Sequence, residues 1–231
     1  KNKAHPKYTV SYKGDTVIAP SSMGFDFLDQ PELSGFRVVD SRMKSVNNKW
    51  AMPWGEQEEV VNHYQEMLIS LQEIERPKRS MNIRFRVFDD GIGFRYEFPE
   101  QPGRDSLEIA AENTEFRLTG DHRVWWIPGD WDIYEHLYNV TSFSEIDALQ
   151  FAQHESLAQT YIPYNAVNTP VTMRTEDGLH LSFHEAALTD FPDMTLRVDA
   201  EKLTMRSELV GSERTEYKAK VGLPFETPWR T

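Results

Sequence analysis

Cysteine is absent from the 231 residues. That excludes disulfide staples, thiolate zinc sites, iron–sulfur clusters and a cysteine nucleophile. Positive charge is scarce: 25 Lys+Arg face 37 Asp+Glu, for a net charge of −12. A nucleic-acid backbone needs a basic face, so binding to one is disfavoured, as is adhesion to an anionic membrane. No apolar run approaches the ~18 residues of a membrane span. The opening Lys1-Asn-Lys-Ala-His-Pro6 carries no apolar signal core, so no leader is expected within these residues. Gly/Ser linkers, repeats and low-complexity stretches are also missing, which leads us to expect one continuous domain over residues 1–231.

Aromatic residues, by contrast, are plentiful: 13 Phe, 9 Tyr and 6 Trp. They supply the large buried surfaces that a disordered acidic chain would lack, despite a mean hydropathy of −0.60. From Met81 to Phe98, Ile83, Phe85 and Val87 alternate with Arg84, Arg86 and Phe88. After Asp89-Asp90-Gly91, Phe94, Tyr96 and Phe98 alternate with polar or small neighbours. Period-two alternation around an Asp-Gly turn predicts a hairpin. Val171–Thr175 and Leu179–Phe183, flanking Glu176-Asp177-Gly178, predict a second. Further strands are expected at Tyr8–Tyr12, Thr16–Ala19, Phe36–Asp40, Leu107–Ala111, Glu115–Leu118, Arg123–Ile127, Met194–Val198 and Lys202–Leu209. The residues alone leave Glu58 to Glu75 open: Val60, Val61, Tyr64, Leu68 and Leu71 suit a helix, whereas Val60/Asn62/Tyr64 alternation suits a strand. The overall expectation is an all-β sandwich or barrel.

Several sharp motifs fail on inspection. Gly91-Ile-Gly93 lacks the third glycine of a dinucleotide fingerprint and lies inside a hairpin. His184-Glu185-Ala-Ala-Leu188 has leucine where a zinc protease needs its second histidine. Trp125, Trp126 and Trp131 suggest a sugar-stacking platform, the basis for an alternative reading as a stand-alone carbohydrate-binding module. Trp125 and Trp126 are adjacent on a strand, however, and must point to opposite faces. Glu185 follows an alternating strand, where a rigid sheet can hold a carboxylate in a site; on residues alone the first reading is a rim carboxylate or a local turn partner.

Read in order, Ser21–Phe25 (SSMGF), Asn82–Pro99 (NIRFRVFDDGIGFRYEFP), Glu112–Phe116 (ENTEF), Asn168–Met173 (NTPVTM), His184–Met194 (HEAALTDFPDM) and Pro224–Thr231 (PFETPWRT) together resemble the amino-terminal domain of glycoside hydrolase family 97. That family includes calcium-dependent α-glucosidases and related α-galactosidases. The resemblance implies an all-β, galactose-mutarotase-like β-supersandwich with little helix, and it resolves Glu58–Glu75 toward strand. It implies a catalytic (β/α)8 barrel beyond Thr231 that holds the acid and base, so no catalytic residue is expected in residues 1–231. It further implies that Glu185 is a calcium ligand lent to the barrel's active site, with Asn168 and Thr169 beside the sugar. The expected partners are the protein's own carboxy-terminal barrel and an oligosaccharide with α-linked glucose or galactose. The expected location is the periplasm or the exterior.

Overall fold

A computed structural model describes residues 5–28, 30–31, 33–151, 160–212 and 214–231. The first strands are β1 (Lys7–Tyr12), β2 (Asp15–Ser22), β3 (Phe25–Phe27), β4 (Phe36–Ala51), β5 (Glu59–Glu73), β6 (Ser80–Val87) and β7 (Ile92–Phe98). Next come β8 (Ser106–Glu112), β9 (Glu115–Leu118), β10 (Arg123–Trp126), β11 (Asn139–Ser142), β12 (Ala166–Asn168), β13 (Val171–Arg174) and β14 (His180–Phe183). The last are β15 (Glu185–Ala186), β16 (Met194–Asp199), β17 (Thr204–Leu209), β18 (Ala219–Gly222), β19 (Phe225–Glu226) and β20 (Trp229–Arg230). Short 3-10 turns at Phe143–Glu145 and Ala148–Phe151 are the only helical segments among the described residues.

All pairings are antiparallel, in four sheets: β1-β2-β9-β17-β16-β12, β11-β10-β13-β14, β18-β8-β3, and a seven-stranded sheet β15-β20-β7-β6-β5-β4 with β19 also on β7. Both expected hairpins form, as β6–β7 and β13–β14. Gly178 closes the second with φ +92°, a conformation that side chains other than glycine's rarely tolerate. The ambiguous stretch is the strand β5, as the resemblance implied. Its helical-looking apolar spacing loses to cross-strand pairing with β4 on one side and β6 on the other.

The inward faces of all four sheets feed one apolar cluster. Tyr8 of β1 packs on Phe94 of β7 at 5.0 Å, and Phe116 of β9 meets Phe183 of β14 edge-on at 5.1 Å. Phe25 stands edge-on to both Tyr96 (4.8 Å) and Phe98 (5.1 Å). Edge-to-face packing of this kind suits the ring quadrupoles, so aromatic residues lock the sheets together as well as filling the core. The result is an all-β sandwich with one continuous core.

Candidate functional site

Glu185 lies on β15, the edge strand of the seven-stranded sheet, directly opposite Arg230 of β20. The pairing places a carboxylate and a guanidinium on one face, where the chain seals both from water. Arg230 is fully buried and Glu185 is 7% exposed. Arg230 donates from Nη1 to Glu185 Oε2 at 2.6 Å, and from Nε and Nη2 to Glu112 Oε1 and Oε2 at 2.9 and 2.6 Å. Thr114 Oγ1 donates to Glu112 at 2.7 Å, and Tyr96 Oη stands 2.7 Å behind Thr114. The second Glu185 oxygen accepts the Met194 amide at 2.9 Å.

Two carboxylates share one guanidinium, which leaves one negative charge in surplus. Burial pushes the Glu185 carboxyl above its ordinary range, with Arg230 and the Met194 amide pulling the other way. Asp193, also raised by burial, accepts a 2.9 Å hydrogen bond from the Tyr134 hydroxyl nearby. Burial and Glu112 likewise hold Tyr96 far above the usual phenol range.

The structure brings Thr169 and Glu185 to the same residue, Met194, with Asn168 next in the chain and opposite Thr195. Thr169 donates to the Met194 carbonyl at 3.3 Å, while the Met194 amide serves Glu185. None of the three faces an open cleft. Asn168 is completely buried; its amide oxygen accepts the Asp130 N–H at 3.1 Å and its Nδ2 donates to the Ile133 carbonyl at 3.2 Å. Within the domain both anchor backbone, Asn168 the segment that follows β10 and Thr169 the start of β16.

Asp130 is the centre of that segment. Its Oδ1 accepts from the Asp132 and Ile133 amides and the Thr160 hydroxyl, and its Oδ2 lies 3.1 Å from His136 Nε2. Burial alone would raise its carboxyl, but these hydrogen bonds outweigh burial and hold it below the ordinary range. Beyond this anchor Tyr134, Leu137 and Tyr138 are exposed, as is Leu188 in the segment after β15. Sequence reasoning missed Glu112 and Arg230, because nothing in local spacing marks carboxylates and a cation that are 118 and 45 residues from one another; it also missed Asp130, whose nearby partners Asp132, Ile133 and His136 form no recognisable motif.

Calcium takes six to eight oxygen ligands, several of them carboxylate. Among the described residues no group of three or more His, Asp or Glu converges as a metal site would require. Glu185 has one oxygen on a backbone amide and the other on a guanidinium. A dication at that carboxylate would sit against the Arg230 charge. The described residues alone therefore assemble no calcium site, and within the domain Glu185 is the anion of a buried ion bridge.

The three tryptophans form no joint platform. Trp126 is 1% exposed, with its indole N–H on Thr141, whereas half-buried Trp125 stacks beside His180 on the opposite face. Trp131 lies apart, half-buried after the Asp130 turn.

Among known proteins, the chain is 22% identical to a retaining alpha-galactosidase of Bacteroides thetaiotaomicron, over 96% of its own length and 34% of the relative's. Two structures of a Glycoside Hydrolase Family 97 enzyme from Pseudoalteromonas sp. strain K8 superpose with TM-scores of 0.86 (in complex with panose) and 0.84 (in complex with acarbose). They share 32% and 33% identity with the chain, covering 99% of it and 32% of theirs. The chain thus spans about a third of the length of these relatives. The family model described as Glycosyl-hydrolase 97 N-terminal matches residues 1–231, and with the sandwich fold and the ordered segments above, the chain belongs to that family.

Proposed function

We infer that this domain is the amino-terminal part of an α-glycoside hydrolase of α-galactosidase or α-glucosidase type, that it packs against a catalytic barrel, and that it is inactive alone. The match of the whole 231 residues to the amino-terminal family carries this reading. The chemistry agrees with it. Glycoside hydrolysis needs two carboxyl groups flanking the bond, ~5–5.5 Å apart for retention or ~6.5–9.5 Å for inversion, with room for sugar or water between. Here Glu112 and Glu185 are joined through one guanidinium, and no space for a sugar lies between them. The exposed Tyr134, Leu137, Tyr138 and Leu188, projecting from segments that the buried network anchors, support packing of this region against the barrel.

The substrate class is an oligosaccharide with α-linked glucose or galactose. An α-galactosidase relative and neighbours in complex with panose and acarbose support it. Calcium, when bound, would supply charge stabilisation beside the reacting bond. This chain's own residues contribute rigidity at the rim. The periplasm or the exterior is the proposed location, checked by cell fractionation. The test of function is hydrolysis of aryl α-glucosides and α-galactosides by residues 1–231 and by the full-length protein. The expected result is turnover by the latter alone; turnover by the isolated domain, or malto-oligosaccharide binding by it in calorimetry, would favour a self-sufficient site or a binding module.

A further inference from the structure

The long hairpin β4–β5 outruns the sheet that supports it. β6 pairs with β5 only over Gln65–Gln72, so the six pairs from Val46↔Tyr64 to Ala51↔Glu59 have only each other. At about 3.4 Å per residue this leaves an arm of roughly 20 Å standing clear of β6. An isolated two-stranded ribbon is marginal in water. This one nevertheless carries Trp54, 82% exposed, at its tip, with Trp50 and Met52 beside it and Met43 and Val61 on one face, 76% and 63% exposed. That face is the core face of the sheet: Met43 is opposite Met67, which is opposite Phe85, and Val61 shares the parity of Met67 and Ile69. On the arm itself that face carries Val61 among Asn47, Lys49 and His63, while Trp50, paired with Val60, stands on the other; the exposed apolar groups of the arm gather toward its tip, as Trp50, Met52 and Trp54. A cluster of exposed aromatic and thioether groups at the end of such an arm marks a contact surface.

We propose that the arm docks on the catalytic portion of the same polypeptide, with Trp54 and Trp50 entering an apolar pocket rimmed by basic groups. This rests on the reading that such a portion accompanies the domain. Two observations choose this occupant over a second copy. The relatives are about three times as long as the chain, which provides a large body to be covered. The arm's tip and return strand are acidic, with Glu56, Glu58 and Glu59 against one cation of the arm, Lys49, which pairs with Glu59, and another copy would present a net charge of −12 to it.

The test is hydrogen exchange in the full-length protein, wild type against the Trp50→Ser/Trp54→Ser double variant. The wild type should protect the amides of residues 46–64 unchanged over a 100-fold dilution. The double variant should exchange there about 100-fold faster, with the same molecular mass and unaltered protection in β7 and β16. Wild-type exchange as fast as the variant's would overturn docking; protection and mass that fall together on dilution would assign the arm to a second copy. Hydrolysis of the aryl glycosides by the same sample reads the underlying function separately: a protected arm in a protein that hydrolyses neither would overturn the catalytic identity of the partner and leave the contact standing.

Discussion

The seven-stranded sheet ends in two edges that solve opposite problems. At β15 and β20 an arginine without contact to water is closed in by two carboxylates, a threonine and a tyrosine. At β4, sixteen residues run almost entirely exposed, and the apolar groups that might have built a core stand in solvent. The closed edge is complete within the chain and belongs to its folding. The open edge contributes little to the domain's own stability and belongs to whatever covers it. Chemical character alone does not tell the two edges apart: the closed edge buries charge, and the open edge exposes apolar groups.

The sharpest way to break that comparison is Arg230→Met. Glu112 and Glu185 would be left buried without their shared cation, and removing one partner of a buried ion pair costs about 3–5 kcal/mol. Urea denaturation of residues 1–231 should show a loss of that order. Adding Glu112→Gln and Glu185→Gln should return much of it, because the triple variant buries no charge at this position. A loss below about 1 kcal/mol would mean that water reaches the bridge.

Asp130→Asn comes next. It weakens the acceptors for two amides, a hydroxyl and an imidazole at the base of the exposed Tyr134–Tyr138 segment, where unsatisfied buried donors cost about 1–3 kcal/mol. The pH dependence has a definite sign. Asp130 is held below its ordinary value, so its contribution is present above the unfolded carboxyl's range and is lost as pH falls through the folded one. Glu66, which burial raises but Lys44, Arg86 and Arg84 lower further, behaves in the same way. Wild-type stability should fall on acidification below about pH 4, and the Asn variant should fall less steeply.

Much of this architecture is legible in the residues, and the limits have physical causes. Period-two alternation locates β6–β7 and β13–β14 because each strand has one wet and one dry face. It fails beyond Asp40, where β4 continues to Ala51: both faces there are exposed, so no alternation marks them. Glu185 stands out by its strand-end position, but its role is set by Arg230, whose contact depends on sheet register that local pattern does not encode. Thr169 and Glu185 meet at Met194, with Asn168 alongside. Their burial and their hydrogen bonds to backbone are tertiary properties.

Glu185→Gln sharpens the comparison from within the closed edge, with a smaller expected effect. The bridge carries one surplus negative charge, and burial already disfavours the ionised Glu185. Its raised carboxyl means that ionisation weakens the fold as pH rises through the folded value, so a neutral isostere relieves that penalty while still accepting from Met194 or Arg230. The change in stability of residues 1–231 should stay within about 1 kcal/mol, at the low end for a buried hydrogen bond. In the full-length protein the calcium response of hydrolysis is the second readout: a tenfold or greater weakening would make Glu185 a ligand lent to the barrel, and an unmoved response would confine it to the ion bridge.

Trp54→Ser in residues 1–231 tests the open edge and should change stability least. The ring is at the tip of the arm and 82% exposed, so its removal forfeits almost no burial within the domain. Denaturation midpoints should agree with the wild type to within about 0.5 kcal/mol, the range of ordinary surface substitutions. The same substitution in the full-length protein removes an indole from an interface, where a buried aromatic anchor is among the groups that cost most to truncate. A difference between the two settings measures how much of Trp54's worth lies outside the domain. Equal and negligible effects in both would leave the open edge with no partner in that protein.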